Sequence, residues 1–241
     1  SLHDALPIYL EHVDAPFRPR KQSYDRYIYL VNRLRQQRYA EPEIWEDYPF
    51  QVQEPLFNAI LSHSNEAMVE LGQWLGRDTG QFREWNEERG IYVSYDRVHH
   101  LQIPIVTAGG MMPLLCGAPD QSRAARMVAL MQSPSFAGTP ENPAYLCPST
   151  ALDEPGFDPH RYWRGPVWIN MNWLLFNALH RYGCPDLAER LKNDAFELVR
   201  RYGFWEYFNP WKNLPADEPG GGYGSNQFSW TAALMLEWMG E

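Results

Sequence analysis

Cysteine is scarce in this chain. Cys116, Cys147 and Cys184 are the only three, an odd number with no Cys-x-x-Cys spacing. That pattern argues against a disulfide framework or a zinc site, and it favours a reducing, cytoplasmic location. Long apolar runs are also missing: none approaches the roughly 20 residues that a membrane helix needs. Basic residues are outnumbered, 21 against 30 acidic ones, for a formal net charge of −9 and a pI near 5.3. Phosphate backbones and anionic lipid surfaces both demand basic patches, so neither nucleic acid nor a membrane is an expected partner. The chain holds no P-loop, no Gly-x-Ser-x-Gly and no His-Glu-x-x-His. No cofactor and no metal is therefore expected. His99 and His100 fall in a hairpin turn and are expected to be solvated. His63 and His180 lie at helical spacing among core residues, and a structural role is expected for both.

Aromatic residues, by contrast, are plentiful. The chain carries 10 Trp, 14 Tyr and 11 Phe, 15% of its 241 residues. Sugars present C–H faces that stack on rings and hydroxyls that need polar partners. An acidic, aromatic-rich chain is thus a candidate for a carbohydrate site, although large cores use the same residues. The length suits one large domain. Oligomeric state is not fixed by the sequence.

The first residue is Ser rather than Met, and Ser1-Leu2-His3-Asp4-Ala5-Leu6-Pro7-Ile8 resembles the translation of a common sequencing adapter. Residues 1–8 are expected to be foreign, with a native protein continuing upstream of Tyr9 and residues 9–241 forming part of one catalytic domain.

Periodicity gives the elements. Apolar residues at Tyr24, Tyr27, Ile28, Val31 and Leu34 predict a surface helix from Tyr24 to Tyr39. A second helix is predicted over 53–76 and a short one over 79–88. Residues 91–96 alternate as one strand of a hairpin does. A short apolar helix follows at 107–117 and an amphipathic one at 119–132, with Ala124, Met127, Val128 and Met131 on its apolar side, then a Pro-rich connection at 134–162 of the kind that is usually functional or disordered. Residues 165–182 are apolar on nearly every side, which predicts a helix buried all round, with Pro166 in its first turn. An amphipathic helix over 186–202, a Gly-rich loop over 214–226 and a final apolar helix to about Met239 complete the chain. Helices that alternate between buried and half-exposed suit a double ring. The fold class expected is all-α: a partial (α/α)6 toroid of about eight helices with a small β-hairpin.

Three stretches carry chemistry. In Tyr162-Trp163-Arg164-Gly165-Pro166-Val167-Trp168, three aromatics meet an Arg that could hold a carboxylate and a glycine that permits close approach. Helix-start packing is the alternative, with Asn170 and Asn172 paired inside the core. In Phe204-Trp205-Glu206-Tyr207-Phe208, a carboxylate sits among four aromatics. Such surroundings suit acid or base work, while an exposed loop Glu is the plainer alternative. In Gly220-Gly221-Gly222-Tyr223-Gly224-Ser225-Asn226-Gln227-Phe228-Ser229-Trp230, glycines could let the backbone curl over a ligand. Gln227 and Trp230 would share one face at a helix start.

Together with Pro49 to Leu61 and Glu88-Arg89-Gly90-Ile91-Tyr92-Val93-Ser94-Tyr95-Asp96, these stretches resemble the mannosylglycerate hydrolase-like enzymes and the related processing α-glucosidases. More distantly, the chain is similar to trehalases. The resemblance implies an (α/α)6 barrel that hydrolyses α-glycosides with inversion. It implies that Glu206 is the general base and that Tyr162, Trp163 and Trp168 bind sugar. Arg164 and Gln227 would hold substrate or fix the Glu, with Gly165 and Trp230 beside them in the substrate site. The family's general acid is an Asp in a Gly-x-Asp-x-Ser-Pro-Arg-like stretch, and no such stretch occurs here. Relatives also carry a longer outer helix where this chain has residues 77–90. The expected activity is thus that of an inverting α-glycoside hydrolase missing its acid. A non-catalytic carbohydrate-binding descendant remains open, as does a sugar epimerase that would need His63 and His180 facing the site.

Overall fold

The computed structural model describes residues 21–39, 44, 46–61, 85–216, 218 and 220–240. The octapeptide, His63, residues 79–84 and the later part of the helix expected over 53–76 lie outside them. Helix α1 spans Lys21–Gln36, close to its expected place. Its apolar stripe does not sink into a core: Tyr27 is 53% exposed and Val31 54%. Strand β1 (Val52–Gln53) is followed by a helical stretch over 55–61. Residues 85–88, expected to be helical, instead give β2 (Trp85–Asn86) and the start of a turn; β2 pairs with β3 (Ile91–Tyr92). The Trp85 indole packs edge-on to Tyr92 with ring centroids 5.1 Å apart, a cross-strand pair that outweighs local helix preference. Strands β4 (Ser94–Asp96) and β5 (Leu101–Ile103) form the hairpin foreseen at 91–96, and β1 joins its outer edge.

A fully buried 3-10 helix, Ala108–Leu114, leads to α2 (Gln121–Gln132). Asp120 caps α2 by accepting from the Arg123 amide at 2.8 Å, and Ala124, Met127 and Met131 form its buried stripe. A short α3 (Pro134–Ala137) follows. The Pro-rich connection beyond it is sewn into the molecule. The Tyr145 amide donates to the Pro210 carbonyl at 2.7 Å, and Val167 and Phe208 exchange both backbone hydrogen bonds. Asp194, 4% exposed, receives the Leu146 amide at 2.8 Å and Lys212 Nζ at 2.6 Å, tying the connection to the next helix pair.

That pair is α4 (Ile169–Arg181) and α5 (Pro185–Tyr202), an antiparallel hairpin turned at Gly183. Helix α4 starts four residues later than expected. Pro166 is not in its first turn, because Val167 is held as a strand residue against Phe208. Met171, Leu175, Phe176, Ala178 and Leu179 are buried around α4, which packs on α5, on the 3-10 helix and on the final helix. Asn172 is wholly buried and donates to the Leu146 carbonyl at 3.3 Å, while Asn170 accepts from the neighbouring Met171 amide. His180 does not sit in the core: it is exposed in the last turn of α4 and packs edge-on to Phe176. Helix α5 is amphipathic, with Pro185 at its first turn, Arg200 and Arg201 in its last, and Leu187, Leu191, Ala195 and Leu198 buried. Burying each of these leucines is worth about 2 kcal/mol.

Strand β6 (Trp205–Phe208) leaves α5 and pairs antiparallel with β7 (Gly222–Asn226). The Gly-rich segment is therefore partly strand rather than all loop. Helix α6 (Ser229–Gly240) ends the described chain, burying Thr231, Met235 and Trp238 but leaving Leu236 69% and Met239 71% exposed. Among the described residues no helix is long and apolar enough to cross a membrane.

Candidate active site

Glu206 sits on β6 at an irregularity. Trp205 pairs with Asn226 and Tyr207 with Tyr223, so Gly224 and Ser225 together oppose Glu206 alone. This is a β-bulge, a device that re-aims one side chain. Gly224 takes φ +76°, and a Cβ there would lie 2.5 Å from Glu206 Oε2, so glycine is required on both counts. With the glycine in place, the Ser225 amide donates to Oε2 at 3.3 Å. From the opposite side the Tyr162 hydroxyl donates to Oε1 at 3.2 Å. Both neighbours are donors, which fixes the carboxylate's direction.

Tyr162 reaches this position from a strained backbone, at φ +38°. The Trp168 indole N–H donates to its carbonyl at 3.1 Å and holds it there. Burial, then the negative charge of Glu206, pushes the Tyr162 phenol up from its ordinary value, so it remains a donor. Trp163 lies flat on Trp168, with centroids 3.9 Å apart and planes 6° apart. Trp168 in turn stacks on Tyr207 at 5.1 Å. The three rings form a pile whose outermost member, Trp163, is 40% exposed while Trp168 is 2% exposed. Of the two tryptophans, Trp163 presents the open ring and Trp168 supports it.

The Gly165 amide donates to Ser149 Oγ at 3.1 Å, and a Cβ at Gly165 would meet the Asp158 carbonyl at 2.6 Å; the glycine closes the backbone turn that presents Tyr162. The Arg164 side chain is exposed and makes no hydrogen bond or ion pair among the described residues. Gln227 lies before α6 rather than in it, at φ +53°, so it does not share a helical face with Trp230. Trp230 is 56% exposed, edge-on to Phe228. This lip is joined to β6 because the Phe228 amide donates to Phe204 and the Thr231 hydroxyl to Trp205.

Ser225, Gly224 and Tyr207 also shape the site, and the sequence offers no signal for the bulge that recruits them. A separate groove of about 520 Å³, lined by Tyr29, Arg33, Asp47, Tyr48 and Arg97 among others, contains none of these residues. His180, in the last turn of α4, lies at the opposite end of that helix from Trp168, which caps its start. Exposed and roughly 18 Å along the helix from Trp168, it is poorly placed to act as a base at Glu206, which counts against a sugar epimerase.

The buried phenols give a check on this packing. Burial raises Tyr145, Tyr207 and Tyr223 well above the ordinary 10.0. Stability from keeping them neutral is full below pH 10 and is lost as the pH climbs above it. In an alkaline titration these three should ionise only as the chain unfolds. Reversible ionisation of all 14 tyrosines near pH 10 with native helicity would contradict the packing described.

A carboxylate held beside an aromatic pile on a helical scaffold is an arrangement that suits a carbohydrate-active enzyme. The sequence profile of the mannosylglycerate hydrolase MGH1-like glycoside hydrolase domain matches residues 5–231. The mannosylglycerate hydrolase of Rubrobacter radiotolerans is 38% identical over 93% of this chain and 52% of its own length. That of Thermus thermophilus is 39% identical over 95% of this chain and 55% of its own. The crystal structure of a GH63 mannosylglycerate hydrolase from Thermus thermophilus in complex with glucose superposes with a TM-score of 0.82 at 38% identity. It covers 95% of this chain and 55% of that one. The chain belongs to the MGH1-like glycoside hydrolase family, with the helical fold of the GH63 mannosylglycerate hydrolases. It spans about half the length of the curated relatives it matches.

Proposed function

We propose that this chain supplies the general base and part of the sugar platform of an inverting α-glycoside hydrolase acting on mannosylglycerate or glucosylglycerate. In this reading Glu206 takes a proton from a water whose oxygen attacks the anomeric carbon. The glycosidic C–O bond breaks, and an acid protonates the leaving oxygen. That acid is assigned to the part of the family's length that this chain does not span, since its sequence holds no Gly-x-Asp-x-Ser-Pro-Arg-like stretch. Inversion requires the two carboxyls to stand about 6.5–9.5 Å apart with the water between them. The observation that carries the reading is the Glu206 carboxylate, aimed by the Ser225 amide and by the hydroxyl of Tyr162, whose ring is itself edge-on to Trp163 and Trp168.

The test is proton NMR of the full-length protein acting on α-mannosylglycerate and α-glucosylglycerate. A first-formed β-sugar supports the reading. A first-formed α-sugar overturns inversion. Sugar binding without turnover would make the protein a carbohydrate-binding descendant instead.

A further inference from the structure

The two donors to Glu206 come from segments far apart in sequence: Tyr162 from the Pro-rich connection and Ser225 from β7. A second contact joins those segments beside the site. His160, two residues before Tyr162, places Nε2 3.0 and 3.1 Å from the two oxygens of Glu218. Glu218 lies four residues before β7 and accepts from the Tyr223 hydroxyl, which itself receives Asn209 Nδ2 at 2.9 Å. The His160 ring packs edge-on to Tyr223 at 5.3 Å, and Tyr223 pairs across the sheet with Tyr207, next to Glu206. On its other side, His160 takes its backbone direction from Asp158, whose carboxylate accepts the His160 amide at 3.0 Å. Asp158 in turn donates its own amide to the Arg164 carbonyl, closing the loop that bears Tyr162.

We propose that His160 and Glu218 are positioning residues for Glu206. Neither touches the carboxylate. Their bridge fixes the spacing between the connection and β7, and hence the angle between the Tyr162 and Ser225 donors. The two ends of one shared contact couple, so once Glu218 is lost, losing His160 as well should cost little more. Pre-organisation of a base bears on turnover more than on ground-state binding, because a misplacement of about 1 Å can lower the rate as much as 100-fold.

This inference rests on Glu206 acting as a base, and the test separates the two claims. His160→Ala, Glu218→Ala, the double variant and His160→Gln are made in the full-length protein, with thermal melts to confirm folding. Each alanine variant should lower kcat by about 10-fold with KM nearly unchanged, and the double variant should be no worse than Glu218→Ala alone, which also removes the acceptor of the Tyr223 hydroxyl. His160→Gln can still donate to Glu218 and should recover most of the rate. Additive losses, a rise in KM alone, or no rescue by Gln would overturn the proposal. If the wild-type protein hydrolyses neither glycoside, the catalytic reading fails. The bridge is then judged by hydrogen exchange of the Gly222–Asn226 amides in the folded variants. Faster exchange in both alanine variants keeps the bridge, and unchanged exchange overturns it.

Discussion

Glu206→Gln in the full-length protein is expected to lower kcat by about 10²–10⁴-fold, the usual loss when a general base is removed. Sugar affinity should barely change. The amide keeps the size of the carboxyl; with its oxygen on the Ser225 amide, its NH2 can donate to the Tyr162 hydroxyl, which rotates to accept, so the bulge at Gly224 and Ser225 has no reason to reorganise. What is lost is a lone pair basic enough to take the proton from water. Initial rates on α-mannosylglycerate, together with isothermal titration of the released sugar, make the check. Wild-type turnover in this variant would sink the assignment of the base. A parallel loss of binding would point to a role in holding substrate.

Trp168→Ala is expected to have the largest effect on stability. The indole is 2% exposed, covered by Trp163 on one face and Tyr207 on the other. Truncating such a side chain removes transfer energy and leaves a cavity, about 3–5 kcal/mol in all. For a domain of this size that corresponds to a fall in Tm on the order of 10 °C. The same change deletes the donor to the Tyr162 carbonyl, so Tyr162 is free to leave φ +38° and its hydrogen bond to Glu206 weakens. Trp168→Phe separates the two effects. It should restore much of the Tm while leaving turnover depressed, because phenylalanine fills the gap but has no N–H. A fall of less than about 2 °C in the alanine variant would mean that the pile contributes little to stability.

The long helices are legible in the sequence because their signal is local. In α5 the spacing of Leu187, Leu191, Ala195 and Leu198 states both the helix and its buried face. The discrepancies arise where distant pairing decides. Gly165-Pro166-Val167 has the composition of a helix start, yet Val167 exchanges hydrogen bonds with Phe208, and α4 begins only at Ile169. Gly222 to Asn226 has low strand propensity, and its strand exists because β6 offers an edge. Residues 85–88 lose a predicted helix to the cross-strand contact of Trp85 with Tyr92. The apolar stripe of α1 is legible as a stripe, but nothing in its spacing says that it stays exposed.

The site follows the same division. The aromatic clusters around residues 162–168 and 204–208 stand out by composition, which draws notice to Tyr162, Trp163, Trp168 and Glu206, while the roles expected of them come only from the family resemblance. The order of the rings in the pile cannot, since it depends on which face of the connection meets β6. The bulge at Gly224 and the bridge from His160 to Glu218 span 18 and 58 residues of sequence and leave no periodic trace.

The face-to-face pair of Trp163 and Trp168 also makes the molecule its own optical probe. Two indoles 3.9 Å apart and 6° from parallel share their electronic excitation, so their ultraviolet absorption and emission belong to the pair. A pyranose absorbs nothing in that range. Laid on the free face of Trp163, it would exclude water from one partner only and shift the coupled signal, so occupancy could be followed by light in the unmodified chain.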